Sequence, residues 1–272
     1  MVTLDSSAAW QSARRMVSAN RDMLAAIAGV FFLLPGLVAA VVLPSPQLSN
    51  GMDQQQIADA ITRFYASAGP FMLALSLPML VGYLTLLAVL LDRDRPSVGA
   101  AIGRAVRLLP SYLAAQLLTA LVLSALWVTV LGGLAAIMPQ TFAVLLSLIV
   151  MIYPLTRVVL IGPEMVVQRL YNPIRAIVGG LSRTRGQFLG VLLYFGPALT
   201  LFVVVYGLVM IFVGVVLVNL SQGEAQRMIS EAIAAVVFAV GYTYFAAIAA
   251  SAYQQLGPVN GTGDAFSPSS PS

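Results

Sequence analysis

The sequence predicts an all-α integral membrane protein: six transmembrane helices, with amphipathic surface helices before the odd-numbered spans. Three observations carry this expectation. The chain of 272 residues is 60% hydrophobic and only 9% charged, with a mean hydropathy of +0.93. Soluble domains carry roughly 25% charged residues, and so few charges cannot cover this much apolar surface in water. Six apolar runs are each long enough to cross a hydrocarbon core of about 30 Å. The basic residues, all of them Arg, alternate between heavy and light from one connection to the next.

Asp5 is placed to cap a first helix running to about Asn20. Ala9, Trp10, Ala13, Met16 and Val17 share one face of it, with Gln11, Arg14, Arg15 and Ser18 largely opposite. That pattern suits a helix lying in the membrane interface. Met23–Leu43 is an uncharged run read as the first span. It is too long for a cleaved signal peptide.

Pro44–Asn50 is a turn-rich loop, and Asp53–Ala68 has Ile57, Ile61, Phe64 and Ala68 at helical spacing, so a further surface helix is expected there. Gly69–Leu91 is the second span. A charged turn, Asp92 to Pro96, follows, and Ser97 caps a short helix carrying Arg104 and Arg107. Pro110–Leu131 and Phe142–Ile161 are the third and fourth spans, joined by a short uncharged loop. Asn172 and Pro173 suit the N-cap and first position of another surface helix, whose apolar face is Ile174, Ile177, Val178 and Leu181. Phe188–Val218 exceeds the core thickness, so this fifth span must tilt, bend near Pro197 or project. Asn219–Ser230 is a polar turn, Glu231–Ala252 the sixth span, and the Gly-, Ser- and Pro-rich segment from Gly257 a disordered tail. The expected organisation is therefore an N-terminal cytoplasmic helix over 1–22, a six-helix domain over 23–256 and a tail over 257–272.

Orientation follows from the Arg residues. The leader has Arg14, Arg15 and Arg21. The connection after the second span has Arg93, Arg95, Arg104 and Arg107, and that after the fourth has Arg169, Arg175, Arg183 and Arg185. Arg63 and Arg227 are alone after the first and fifth spans. Eleven against two places both termini in the cytoplasm. Met16–Leu24, Ala105–Leu113 and Leu181–Leu189 each run from polar or basic residues into a large apolar pair, which suggests three copies of one unit: surface helix, span, turn, span.

Arg157 is the one Arg inside a span. It either snorkels to headgroups or joins Glu164 and Gln168 in a polar cluster at the mouth of a pathway. A helix break at Gly162-Pro163 would be needed to bring Arg157 and Glu164 together. No catalytic signature, phosphate loop or carboxylate cluster is present, and there is no His and no Cys. The commonest general base and the thiolate metal sites are thereby missing, and no cofactor, metal or nucleic acid is expected. The expected partners are anionic lipid headgroups, met by Arg14, Arg15, Arg104, Arg107, Arg175, Arg183 and Arg185; a homo-oligomer is left open.

The stretch Gly162–Leu192 resembles the glycerophosphoryl diester phosphodiesterase membrane-domain family of six-span bacterial inner-membrane proteins. The resemblance rests on Pro163, Gln168-Arg169, Asn172-Pro173, Ala176 and Thr184-Arg185-Gly186-Gln187-Phe188, and on the leader from Ala9-Trp10 to Arg21. Leu181 and Leu189 stand where that family often has aromatic residues, and Gln168 where Glu is frequent. Some relatives in the family fuse this membrane part to a phosphodiesterase barrel that needs His and a metal-binding carboxylate set. A chain with no His implies the membrane part alone. The expected function is an inner-membrane scaffold or accessory protein of the envelope, without enzymatic activity. The competing expectation is a small-solute or lipid transporter or channel with its polar site near Arg157 and Glu164.

Overall fold

The computed structural model describes residues 5–43, 51–92, 97–220 and 223–257. They form ten α-helices and one π-turn, with no strand among the described residues. Six helical stretches are long and apolar enough to cross a membrane: Arg21–Val42, Gln54–Leu91, Val98–Ala135, Gln140–Gln168, Phe188–Leu217 and Glu224–Leu256. The loop expected at 44–50, the part of the charged turn with Arg93 and Arg95, and the tail from 258 lie outside the described residues.

Helix α1 (Ser6–Ala19) starts where Asp5 accepts from the N–H groups of Ser7 and Ala8, satisfying donors that a helix start leaves free. Its apolar face does not lie open to lipid, as the sequence suggested. Ala9 and Ala13 are fully buried in the common core, and Trp10 meets the Tyr194 ring edge-on at 6.2 Å. Arg14 and Arg15 point outward. The chain turns at Asn20 into α2 (Arg21–Ala28), a π-turn (Gly29–Leu33) and α3 (Leu34–Val42). The π-turn has a cause in Pro35. Its ring clashes with the carbonyl four residues back and it has no N–H to offer, and the wider turn relieves both while Leu34 N–H bonds to Gly29 O.

Helix α4 (Gln54–Leu91) opens with a capping box in which Asp53 and Gln56 satisfy each other's backbone. The surface helix expected over Asp53–Ala68 is not separate. It runs straight into the second span as one helix of 38 residues, about 57 Å long. Gly69-Pro70 does not break it, because one Pro removes one bond from a helix already nucleated upstream. Most of its first four turns project from the bundle, with only Ala60 and Ala68 buried there. Helix α5 (Val98–Ala135) likewise merges the short helix capped by Ser97 with the third span, and Pro110 sits inside it.

The fourth apolar stretch is α6 (Gln140–Val158) followed, after a break, by α7 (Ile161–Gln168); α8 (Pro173–Arg183) is separate and capped by Asn172. Helices α9 (Phe188–Leu220) and α10 (Glu224–Leu256) complete the bundle. The last helix begins at Glu224, so the polar turn expected over Asn219–Ser230 is shorter than the sequence suggested. The three proposed repeats do not share a backbone: 16–24 breaks at Asn20, 105–113 is uninterrupted helix, and 181–189 contains the turn at 184–187.

The core gathers Leu24, Ile27 and Phe32, then Leu84, Leu86 and Leu87, then Ala246, Ala247, Ile248, Ala249 and Ala250 of α10. Six long apolar stretches return the chain to the end where it started, and the Asp5 N–H donates to Gln255 Oε1 at 3.1 Å. The Arg104–Asp92 ion pair spans the α4–α5 connection at that same end. At the opposite end Arg227 donates to the carbonyls of Ala40 and Leu43 at 3.2 and 3.3 Å, a cationic cap on the C-terminus of α3.

Gly82 marks where α3's forerunner, the π-turn, presses closest on α4. A Cβ there would lie 2.4 Å from Phe31 Cβ and 3.1 Å from the Phe32 ring. Gly82→Val is expected to cost about 1–3 kcal/mol by overpacking. A thermal midpoint in detergent equal to the parent's would contradict this packing.

Candidate functional site

The polar groups of the bundle converge where α6, α7, α8 and the end of α10 meet. Pro163 sets the geometry. As the third residue of α7 it cannot donate to the carbonyl of Val159, so α6 ends at Val158 and the chain turns through Leu160 before helix resumes. The break thus falls just before Gly162-Pro163, close to where the sequence suggested one. It does not bring Arg157 to Glu164.

Glu164 is buried and forms an ion pair with Arg183, whose Nε donates to Oε2. The Tyr253 hydroxyl of α10 donates to the same oxygen at 2.8 Å. The Arg183 guanidinium lies over the Tyr253 ring, 4.3 Å from its centroid, and also donates to the Gly257 carbonyl. A carboxylate this deep is tolerated only when paired and hydrogen-bonded, and here one Arg and one Tyr supply both. Gln168 is exposed, with its side chain near the Tyr253 hydroxyl.

Arg157 makes a different connection. It donates to the Leu181 carbonyl at 2.8 Å and to that of Thr184 at 3.4 Å, so it caps the C-terminal end of α8, where a cation is favoured. The Thr184 hydroxyl is fully buried and lies 3.1 to 3.4 Å from the carbonyls of Leu181, Arg157 and Gly180.

Small residues let α8 come close enough for this. A Cβ on Gly179 would sit 2.9 Å from Glu164 Oε1, and one on Gly180 would sit 3.0 Å from the Ile161 backbone. Ala176, Gly180 and Arg183 therefore form the buried face of α8. The two glycines are a helix contact. Arg169 ends α7 in left-handed backbone, φ 51°, with its N–H on the Met165 carbonyl.

The site residues expected from sequence fall into three groups. Glu164 is bonded to Tyr253, and exposed Gln168 lies one turn further along α7, near the same hydroxyl. Arg157 does not join them; it caps the C-terminal end of α8 through the carbonyls on either side of Arg183. Arg183, expected at lipid headgroups, is buried and committed to Glu164, because it lies on the same face as Ala176 and Gly180. Arg104, expected there too, is half-buried and paired with Asp92. Arg14, Arg15, Arg107, Arg175 and Arg185 are exposed. Tyr253 and Thr184 were not singled out as site residues from sequence. The spacing of Ala176, Gly180 and Arg183 was the available signal, since two small residues one turn apart mark a close helix contact and Arg183 shares their face.

Among the described residues no group of acidic side chains is arranged to hold a metal ion. An open apolar groove of about 470 Å³ near the α5–α6 turn is lined by Met138, Pro139, Phe142, Leu145, Leu146 and Ile149. Comparison with protein-family models, curated proteins and solved structures finds no match.

Removing one partner of a buried pair leaves the other charge uncompensated, at a cost of about 3–5 kcal/mol. Arg183→Leu and Glu164→Leu are each expected to destabilise on that scale. The double variant should cost clearly less than their sum. Additive losses in denaturant unfolding would show that the two side chains act independently.

Proposed function

We propose that this is a non-enzymatic protein of the bacterial cytoplasmic membrane, crossing it six times with both termini in the cytoplasm, and serving as a lipid-associated scaffold or accessory of the envelope. The observation that carries the reading is the fastened layer at one end of the bundle. There α1, α6, α7, α8 and the end of α10 are tied by Glu164, Arg183, Tyr253, Arg157 and Gln255. Around that layer stand the exposed Arg14, Arg15, Arg107, Arg175 and Arg185, with Ile174 and Val178 exposed beside Arg175 on α8. Apolar side chains flanked by guanidinium groups suit the boundary between acyl chains and anionic headgroups. Resemblance to the membrane-domain family at Gly162–Leu192 agrees with this reading.

The transporter or channel alternative draws less support. It wants Arg157 and Glu164 free to meet a passing solute, and each is already engaged by fixed neighbours within the protein.

Two measurements test the proposal. Reporter fusions after residue 256 should be active on the cytoplasmic side only, and a C-terminus reporting from outside would end it. Each exposed Arg near the surface is expected to add about 1 kcal/mol of attraction to anionic lipid. Arg175→Gln with Arg185→Gln should therefore reduce the number of phosphatidylglycerol molecules retained by the purified protein; unchanged retention would remove the headgroup role.

A further inference from the structure

Helices α9 and α10 form an antiparallel pair whose register can be read at four levels. Moving away from the clamp, Tyr194 meets Ser251, Phe195 meets Phe245, Phe202 fills the notch left by Gly241, and Tyr206 meets Phe238. One helix descends as the other rises, almost residue for residue, and α9 is unbroken helix through Pro197. Continued at the same pace, the register puts Phe212 of α9 beside Glu231 of α10. At the other end it puts Gln187 level with the end of α10.

The polar groups at these two levels bound an apolar belt. On α10 the exposed Glu231 and Gln254 stand about 35 Å apart at 1.5 Å per residue, with no charged side chain between them. On α9 the rise from Gln187 to the level of Glu231 is about 37 Å. The outward face of α9 fills that interval with Leu189, Leu193, Val204, Leu208 and Ile211, each at least half exposed. An exposed carboxylate keeps to the headgroups, because hydrocarbon penalises its charge. Glu231 therefore fixes the top of the belt. The average hydrocarbon core is about 30 Å thick, so this face is about 5–7 Å too tall for it.

An over-long span can bend, lean or alter the lipid around it. The pairing with α10 holds on both sides of Pro197, so no bend shortens α9. The two helices can lean only with the bundle, since α1, α3 and α4 pack on α10. Fitting the belt by leaning alone takes roughly 33°, towards the upper end of the range for membrane helices. The exposed Arg14 and Arg15 lie on α1, which borders α9 and α10, whereas Arg175 and Arg185 lie on and just after α8, which borders α5, α6 and α7. These are different sides of one layer. A lean of that size would sink one set into hydrocarbon while lifting the other, and so the lipid is left to adjust.

We propose that the outward face of α9 and α10 takes a lipid shell thicker than the average bilayer core, built from phospholipids with long acyl chains. The inference rests on the membrane reading above. It adds a preference for chain length that is independent of headgroup charge. Mismatch sorts proteins among membranes of different thickness, and this one gathers where its membrane is thickest.

The test uses the full-length protein in bilayers of phosphatidylcholine with a fixed fraction of phosphatidylglycerol. The phosphatidylcholine is dimyristoleoyl, dioleoyl or dierucoyl, and the thermal midpoint is read in each. The midpoint is expected to be highest in dierucoyl, about 4 °C above dioleoyl. Leu208 is 62% exposed, so little packing is lost on replacing it. Leu208→Glu lowers the top of the belt by one turn, to about 31 Å, and should move the maximum to dioleoyl. Leu208→Gln gives the same reading if the carboxylate prevents folding. Arg175→Gln with Arg185→Gln should leave the maximum in dierucoyl. A parent midpoint highest in a shorter lipid, or level across the three, would overturn the inference. A dierucoyl maximum that neither Leu208 variant moves would overturn its assignment to this face. Release of the protein from membranes by carbonate washing would instead overturn the membrane reading itself.

Discussion

The Glu164–Arg183 pair holds the arrangement at one end of the bundle. A carboxylate and a guanidinium at that depth are stable only together, and Tyr253 joins them to the last helix. Their meeting depends on two local facts. Pro163 forces the fourth apolar stretch to break and re-aim, and Gly179 and Gly180 let α8 settle against the re-aimed segment. With a larger residue at either glycine, the ion pair would have to shift or part. The clamp is thus a product of backbone constraint first and of charge second.

Much of the fold was legible in the chain. The apolar runs are so long and so poor in charge that helix was the only way to satisfy their backbone, and Asp5, Asp53, Ser97 and Asn172 stand where helices start. The boundaries that sequence misplaced have a common cause. Pro70 and Pro110 read as breaks, yet both are absorbed within helices of 38 residues. Pro35 and Pro163, no different in kind, do alter the backbone. Whether a Pro bends, widens or ends a helix is decided by what packs against the freed carbonyl, and that is a tertiary fact.

The site was less legible for a related reason. Glu164 announced itself as an acidic residue in an apolar setting, but Arg157, Arg169, Arg175, Arg183 and Arg185 were all near enough in sequence to pair with it. Periodicity on α8 separates Arg183 from Arg175 by face, and nothing local could show that Tyr253, 89 residues further on, completes the set.

The bond between Asp5 and Gln255, together with the burial of Ala9 and Ala13 against the core that α10 completes, fixes an order of events during synthesis. The ribosome delivers α1 first and its resting place last, so for almost the whole of translation that helix has no protein surface to occupy. Its apolar stripe must shelter elsewhere meanwhile, and if the chain enters a bilayer, as proposed, the nearest shelter is lipid. A stripe that looks designed for the interface and ends inside the protein fits both stations: a temporary berth first, a permanent one once the final helix emerges.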